Sequence, residues 1–236
     1  MSWRIREPQN IPQGIQETLT TQQVPLGTIV RAFSGTYGEG EFIYLLGVAS
    51  EVVGDLVTYN GLTGQVTRGA AAAGTGFPLA VAMSANVAGQ FGWYQISGNA
   101  VINNNGTQAV DSAVFQKATA QTGSAAVAGT QMLNAVTRTA NNSTFTKTCT
   151  TRNGSTALIV PDFDGLYIGA GLVLSGTGIA GGTTIAAGIN GAPQNGNNSV
   201  ILSAAATADG TVTVTFTRTN QSVVTMQRPF GQGQII

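Results

Sequence analysis

Histidine is absent from the chain, and cysteine occurs once, at Cys149. The first absence removes the usual general base and the commonest metal ligand. The second excludes an internal disulfide and any zinc constellation built on thiolates; Cys149 reads as a small, partly buried apolar residue. Charge is scarce too. Asp, Glu, Lys and Arg make up 8% of the 236 residues, ten acidic against ten basic, where soluble domains carry roughly 25%. No basic stripe that tracks phosphates is visible, so nucleic acid is not an expected partner. No run reaches the ~18 apolar residues of a membrane-spanning helix. The N-terminal Met-Ser-Trp-Arg-Ile-Arg-Glu-Pro lacks the apolar core of a secretory signal. A surface this poor in charge is a solubility liability for a free monomer. It makes sense where copies of the chain or a partner cover it.

What is present is the mix of a turn-rich β protein: 32 glycines, with Ala, Thr, Val, Ser, Asn and Gln supplying most of the rest. The organising stretch is Phe77–Ile102, which holds the largest aromatic cluster and reads as strands joined by tight turns. Phe91, Trp93, Gln95 and Ser97 share one face, Tyr94 and Ile96 the other. Trp93 is expected in the core, Tyr94 facing the inserted module or a neighbouring subunit. Gly98-Asn99 is read as a turn. Asn60-Gly61 is the strongest two-residue hairpin signal, because both positions tolerate positive φ.

The fold class expected is all-β: a β-barrel or jelly-roll-like core domain, an extended N-terminal arm and an inserted small β-sandwich or barrel module. Residues 1–23 form the arm. It is rich in Gln, Pro and Thr and interrupted by Pro8 and Pro12, with Trp3, Ile5, Ile11, Ile15 and Leu19 too scattered to make a core. The core domain takes 24–140 and 219–236. Between its halves, residues 141–218 form the module, whose six short strand candidates recur at roughly 10–15-residue spacing. Val136–Arg138 and Val223–Met226 are then expected side by side.

Catalytic constellations do not emerge. Gly176-Thr-Gly-Ile-Ala-Gly181 matches a dinucleotide-binding pattern, but no helical segment follows to hold a pyrophosphate. Asp162 and Asp164 are too few for a calcium site. Glu39 and Glu41 fit an exposed turn better than a glycosidase pair. Tyr37, Tyr44, Tyr59 and Trp93 are candidate platforms for sugar stacking, with strand packing as the plainer reading. No cofactor or metal is expected.

Several runs resemble tailed-bacteriophage capsid decoration (cement) proteins: Gly-Val-Ala-Ser at 47–50, Gly-Asp-Leu-Val-Thr-Tyr at 54–59, Leu-Ala-Val-Ala-Met at 79–83, Ala-Gly-Gln-Phe-Gly-Trp-Tyr-Gln-Ile-Ser-Gly-Asn-Ala at 88–100, and Arg-Pro-Phe-Gly-Gln-Gly-Gln at 228–234. The resemblance covers roughly 24–138 and 220–236. The module, with Gly165-Leu-Tyr-Ile-Gly and Val200-Ile-Leu-Ser, is similar to a β module found in many phage structural proteins; the simplest decoration proteins lack it. The resemblance implies a non-enzymatic virion protein, assembled in the host cytoplasm onto the outer capsid surface. Its partners are the major capsid protein and copies of itself, as a dimer or trimer. Trp3, Ile5, Ile11, Ile15, Leu19, Tyr94 and Phe230 are the candidate contacts. The alternative is a carbohydrate- or receptor-binding tail or surface protein, with the module facing a host-surface glycan.

Overall fold

Seventeen strands and no α-helix make up the described residues of the computed structural model, which are 4–5, 12–34, 37–69, 76–117, 120–123, 126–141, 144–161, 172–194, 197–217 and 219–233. The protein is all-β and barrel-like, as the Val, Ile, Thr and aromatic alternation predicts. The strands divide into two units, one formed by 2–141 with 220–236, the other by 142–219.

The larger unit holds β1 (Arg4–Ile5), β2 (Ile29–Ser34), β3 (Gly38–Leu46), β4 (Leu56–Tyr59), β5 (Val66–Arg68), β6 (Leu79–Ala82), β7 (Phe91–Asn103), β8 (Ala113–Lys117), β9 (Gln121–Gly123), β10 (Gln131–Thr137) and β17 (Gln221–Gly231). Their order is β1-β2-β3-β7-β17-β10-β8-β9, with β6 also on β7 and the β4–β5 hairpin on β6. All these pairings are antiparallel. The sheet curls until Asn104, just past β7, bridges Thr122 on β9. β7 is the hub: β3 lines one edge, while β6 and then β17 line the other. Gly98 does not turn the chain. At φ 94° it bends β7 and lets it continue to Asn103.

Both faces of the first half of β7 are covered. Trp93 packs with Ile15, Val30, Phe42, Tyr44 and Met83. Tyr94 and Ile96 pack on the opposite side with Ile43, Leu45, Val57, Val66 and Ala80. A third apolar cluster, including Leu56, Leu79, Val81, Ile102, Val114, Met132 and Val224, fills the space beside β8, β10 and β17. Tyr94 is therefore a core residue with no exposed area, contrary to its expected place on an outer face.

The described part of the expected arm is also part of this unit. Gln13 is fully buried and fixes the segment: its Nε2 donates to Phe91 O (2.9 Å), its Oε1 accepts from Tyr44 Oη (2.7 Å), and its carbonyl accepts from Trp93 Nε1 (3.2 Å). Ile15 is 2% exposed, and Leu19 exchanges backbone hydrogen bonds with Phe91. Residues 12–19 thus cap the Trp93 face rather than extend from it. The Asn60-Gly61 hairpin forms with a longer loop: Tyr59 pairs with Val66, Asn60 Oδ1 accepts from the amides of Leu62 and Thr63, and Gly64 takes the positive φ.

The second unit holds β11 (Thr144–Thr151), β12 (Ala157–Pro161), β13 (Val173–Ser175), β14 (Ile185–Gln194), β15 (Asn197–Leu202) and β16 (Gly210–Thr217), in the order β13-β16-β11-β12-β15-β14. Val173 bridges Thr184, just ahead of β14, so the six-stranded ladder nearly closes into a barrel. Its interior holds Cys149, Leu158, Val160, Leu174, Val200, Val214 and Phe216, with Phe145 stacked on Phe216 at 5.1 Å. The strands on either side of this insertion, β10 and β17, pair directly, with Val136 opposite Thr225 and Thr137 opposite Val224.

Candidate interaction surface

Arg31, Glu41, Ser97 and Gln227 occupy successive positions across β2, β3, β7 and β17. This row forms the floor of a cleft of about 490 Å³, completed by Glu39, Gly40 and Arg228. In a chain with twenty charged residues, four meet here. The Glu41 carboxylate pairs with Arg228 Nε at 3.0 Å and Arg31 Nε at 3.5 Å. Both arginines are well exposed, so each pair contributes only about 0–1 kcal/mol. They place two guanidiniums beside Glu41 at the rim.

A bulge puts Arg228 there. Across β10 and β17, Ala135 faces Met226 and Leu133 faces Phe230, so three residues of β17 oppose one of β10. Arg228 (φ 43°) and Asn134 (φ 58°) both adopt left-handed conformations at this irregularity, which non-glycine residues seldom do. Such outliers concentrate at functional sites. The bulge turns both Arg228 and Phe230 outward.

Phe230 belongs to a small exposed apolar strip. It lies opposite Leu133 and bridges Pro78, while Gly231 N donates to Phe77 O at 3.0 Å. Leu133 and Phe230 are 41% and 44% exposed on one face, while Phe77, 56% exposed, falls beside Gly231, one residue out of phase. No family model, curated protein or solved structure matches this chain.

The other candidate contacts lie elsewhere. Trp3 and Ile11 fall outside the described residues, as do Asp162 and Asp164. Ile5 sits on the edge strand β1, opposite Ala32. Ile15 and Tyr94 are buried, because each is covered by its own chain, and Leu19 is half-buried against Phe91. Of the seven, Phe230 is the one with a described, exposed side chain. Leu133 carries no sequence signal for this role; its place opposite Phe230 depends on a bulge that spacing does not reveal. Glu39 and Glu41 belong to β3 rather than to a turn.

The sugar-platform candidates are also accounted for. Tyr44 and Trp93 have no exposed area and Tyr37 only 8%, while Tyr59 is half-buried. In the module, Phe216 is buried under Phe145. Among the described residues, no group of three or more metal-ligating carboxylate or thiol side chains is close enough to hold an ion. Burial pushes the Cys149 thiol up to about 12, which leaves it a poor nucleophile.

One ionisable cluster lies deep in the larger unit. Glu51 is 2% exposed and accepts a hydrogen bond from Tyr94 Oη at 2.8 Å. Burial, aided by the nearby Asp55 charge, pushes its carboxyl up to about 8. Asp55 is 1% exposed and is itself raised by burial, opposed by the Val52 amide, Asn103 and Arg68. Arg68 reaches Asp55 Oδ2 at 2.7 Å. The arrangement ties the loop between β3 and β4 to β5 and β7.

Proposed function

We propose that this chain is a non-enzymatic structural protein of a phage virion, which decorates and cements the outer capsid surface by bridging major capsid protein subunits. The observation that carries this reading is where the Arg-Pro-Phe run lies. Its resemblance to decoration proteins is one matter of sequence; its Arg228 rims the charged cleft and its Phe230 lies exposed opposite Leu133. A gripping surface needs such a combination: apolar area for affinity, fixed charges for register. Many copies with modest contacts reinforce one another through effective concentration. The low charge of the chain fits a surface that partners cover. Self-association as a dimer or trimer belongs to the same proposal, as does assembly in the host cytoplasm.

The test is binding to capsids stripped of the protein, from the phage whose genome carries the gene. The purified chain should co-sediment with the shells and raise their heat-disruption temperature. Leu133→Ser with Phe230→Ser should keep the melting profile of the free protein and weaken capsid binding at least about tenfold, as loss of a central anchor does. Shells that neither bind the parent chain nor gain heat resistance would sink the proposal.

A further inference from the structure

The interior of the larger unit changes character along β8. Val114 belongs to the apolar cluster, yet Gln116, two residues on and facing the same way, is 1% exposed. Its cross-strand neighbour is Thr122, which is fully buried and donates through Oγ1 to Asn104 Oδ1 at 2.8 Å. Ser222 Oγ donates to the same oxygen at 3.3 Å. Asn104 is 1% exposed and Ser222 has no exposed area. Three amide atoms of this layer have no hydrogen-bond partner among the described residues: Gln116 Oε1, Gln116 Nε2 and Asn104 Nδ2.

Buried amides in native proteins are almost always satisfied. A flipped Asn104 would donate to the two hydroxyls and leave its oxygen over instead. Solvent can supply the partner that the described residues do not. A divalent cation is a poor match, since hard cations favour carboxylates and Gln116, Thr122, Asn104 and Ser222 carry no charge. An anion would need a positive group or several convergent donors. What the three atoms offer is one acceptor and two donors, which calls for a molecule that both gives and accepts hydrogen bonds.

We propose that Gln116 and Asn104 hold ordered water inside the larger unit, bridging the Gln116 amide to Asn104 Nδ2. Buried water typically makes about three hydrogen bonds to otherwise unsatisfied groups, and this layer supplies that number. The bridge links the β8–β9 hairpin to the end of β7, where the sheet curls back on itself. It gives β9, only three residues long, an anchor that its short ladder cannot.

Crystals of the full chain, diffracting well enough to place solvent, test this directly. Density for water within hydrogen-bonding reach, roughly 2.7–3.2 Å, of both Gln116 and Asn104 is expected. Deuteron relaxation dispersion should count at least one long-lived internal water more in the parent than in Gln116→Met, a variant of similar size that offers no amide. A dry layer in which Gln116 bonds directly to protein groups would overturn the proposal, as would an unchanged count in a folded variant. If Gln116→Met does not fold, the parent's density decides alone.

Discussion

Trp93 and Tyr94 are neighbours on β7, and alternation puts them on opposite faces. That much is legible in the sequence. What alternation cannot tell is whether each face is covered, and here both are. Tyr94→Ala should therefore destabilise the protein by about 3–5 kcal/mol, as Trp93→Ala should, the usual range for emptying a large aromatic site. Denaturant unfolding of the two variants checks it; a near-native Tyr94→Ala would return Tyr94 to a surface role. Glu51, beside the Tyr94 hydroxyl, gives a pH signature. Its folded value of about 8 stands above the ordinary 4.5. Between those values the folded state keeps a proton that the unfolded chain has lost. Stability must then fall as pH rises from about 4.5 to about 8, and level off above. Glu51→Gln keeps an acceptor for Tyr94 and removes the titration. It should match the parent near pH 5 and exceed it by roughly 2–4 kcal/mol near pH 8.5, because each pH step between the two values is worth about 1.4 kcal/mol. Urea midpoints across this range measure the difference; parallel curves for parent and variant would refute it.

Strands are easier to read from sequence than their ends. The six module strands and the meeting of β10 with β17 follow from alternation and from the change in composition that marks the insertion. The turns are harder, because glycine signals backbone freedom without saying how it is used. Gly98 is the clearest instance: with Asn99 it reads as a turn, yet it bends a continuous strand at φ 94°, where a methyl group would run into the Glu39 carbonyl. Gly98→Ala should cost about 1–3 kcal/mol, combining conformational strain with that clash; thermal or urea unfolding against the parent measures it. The Asn60-Gly61 loop offers the converse. Gly61 needs no positive φ and faces open space, whereas Gly64 has φ 67° and Leu26 Cβ only 2.6 Å from where a Cβ would stand. Gly61→Ala should leave the melting temperature within a degree or two while Gly64→Ala lowers it by several degrees, roughly the shift that 1 kcal/mol produces. Equal effects would restore a two-residue turn. The N-terminal segment departs from the expected arm for a related reason. Its apolar residues have no period because Gln13, Ile15 and Leu19 each fill a separate position on a sheet already formed. The exposed pair Leu133 and Phe230 is hidden from sequence in the same way, since pairing of β10 with β17 across a bulge assembles it.

Each of the two units has its own apolar interior, and the chain happens to label them separately. Both tryptophans, Trp3 and Trp93, lie outside 142–219, and the single thiol, Cys149, lies within it. Tryptophan emission therefore reports on the larger unit. Cys149 has no exposed area, and burial suppresses its thiolate, so labelling requires the module to open. Because β10 and β17 pair directly, as at Val136–Thr225, and Arg138 N donates to Val223 O at 2.7 Å, the larger unit closes its sheet without support from the insertion. Replacing 142–219 by a short Gly/Ser linker alters mainly loop-closure entropy, which changes by only about 0.6 kcal/mol for each doubling of loop length. The shortened chain should keep the parent's tryptophan emission and its cooperative unfolding midpoint. In the full chain, thiol labelling and tryptophan emission should follow separate denaturant curves. A single coincident transition, together with a shortened chain that fails to fold, would show that the larger unit depends on the module. Retained folding with undiminished capsid binding would instead locate the grip in the unit that carries Phe230, leaving the module free for whatever lies outside the shell.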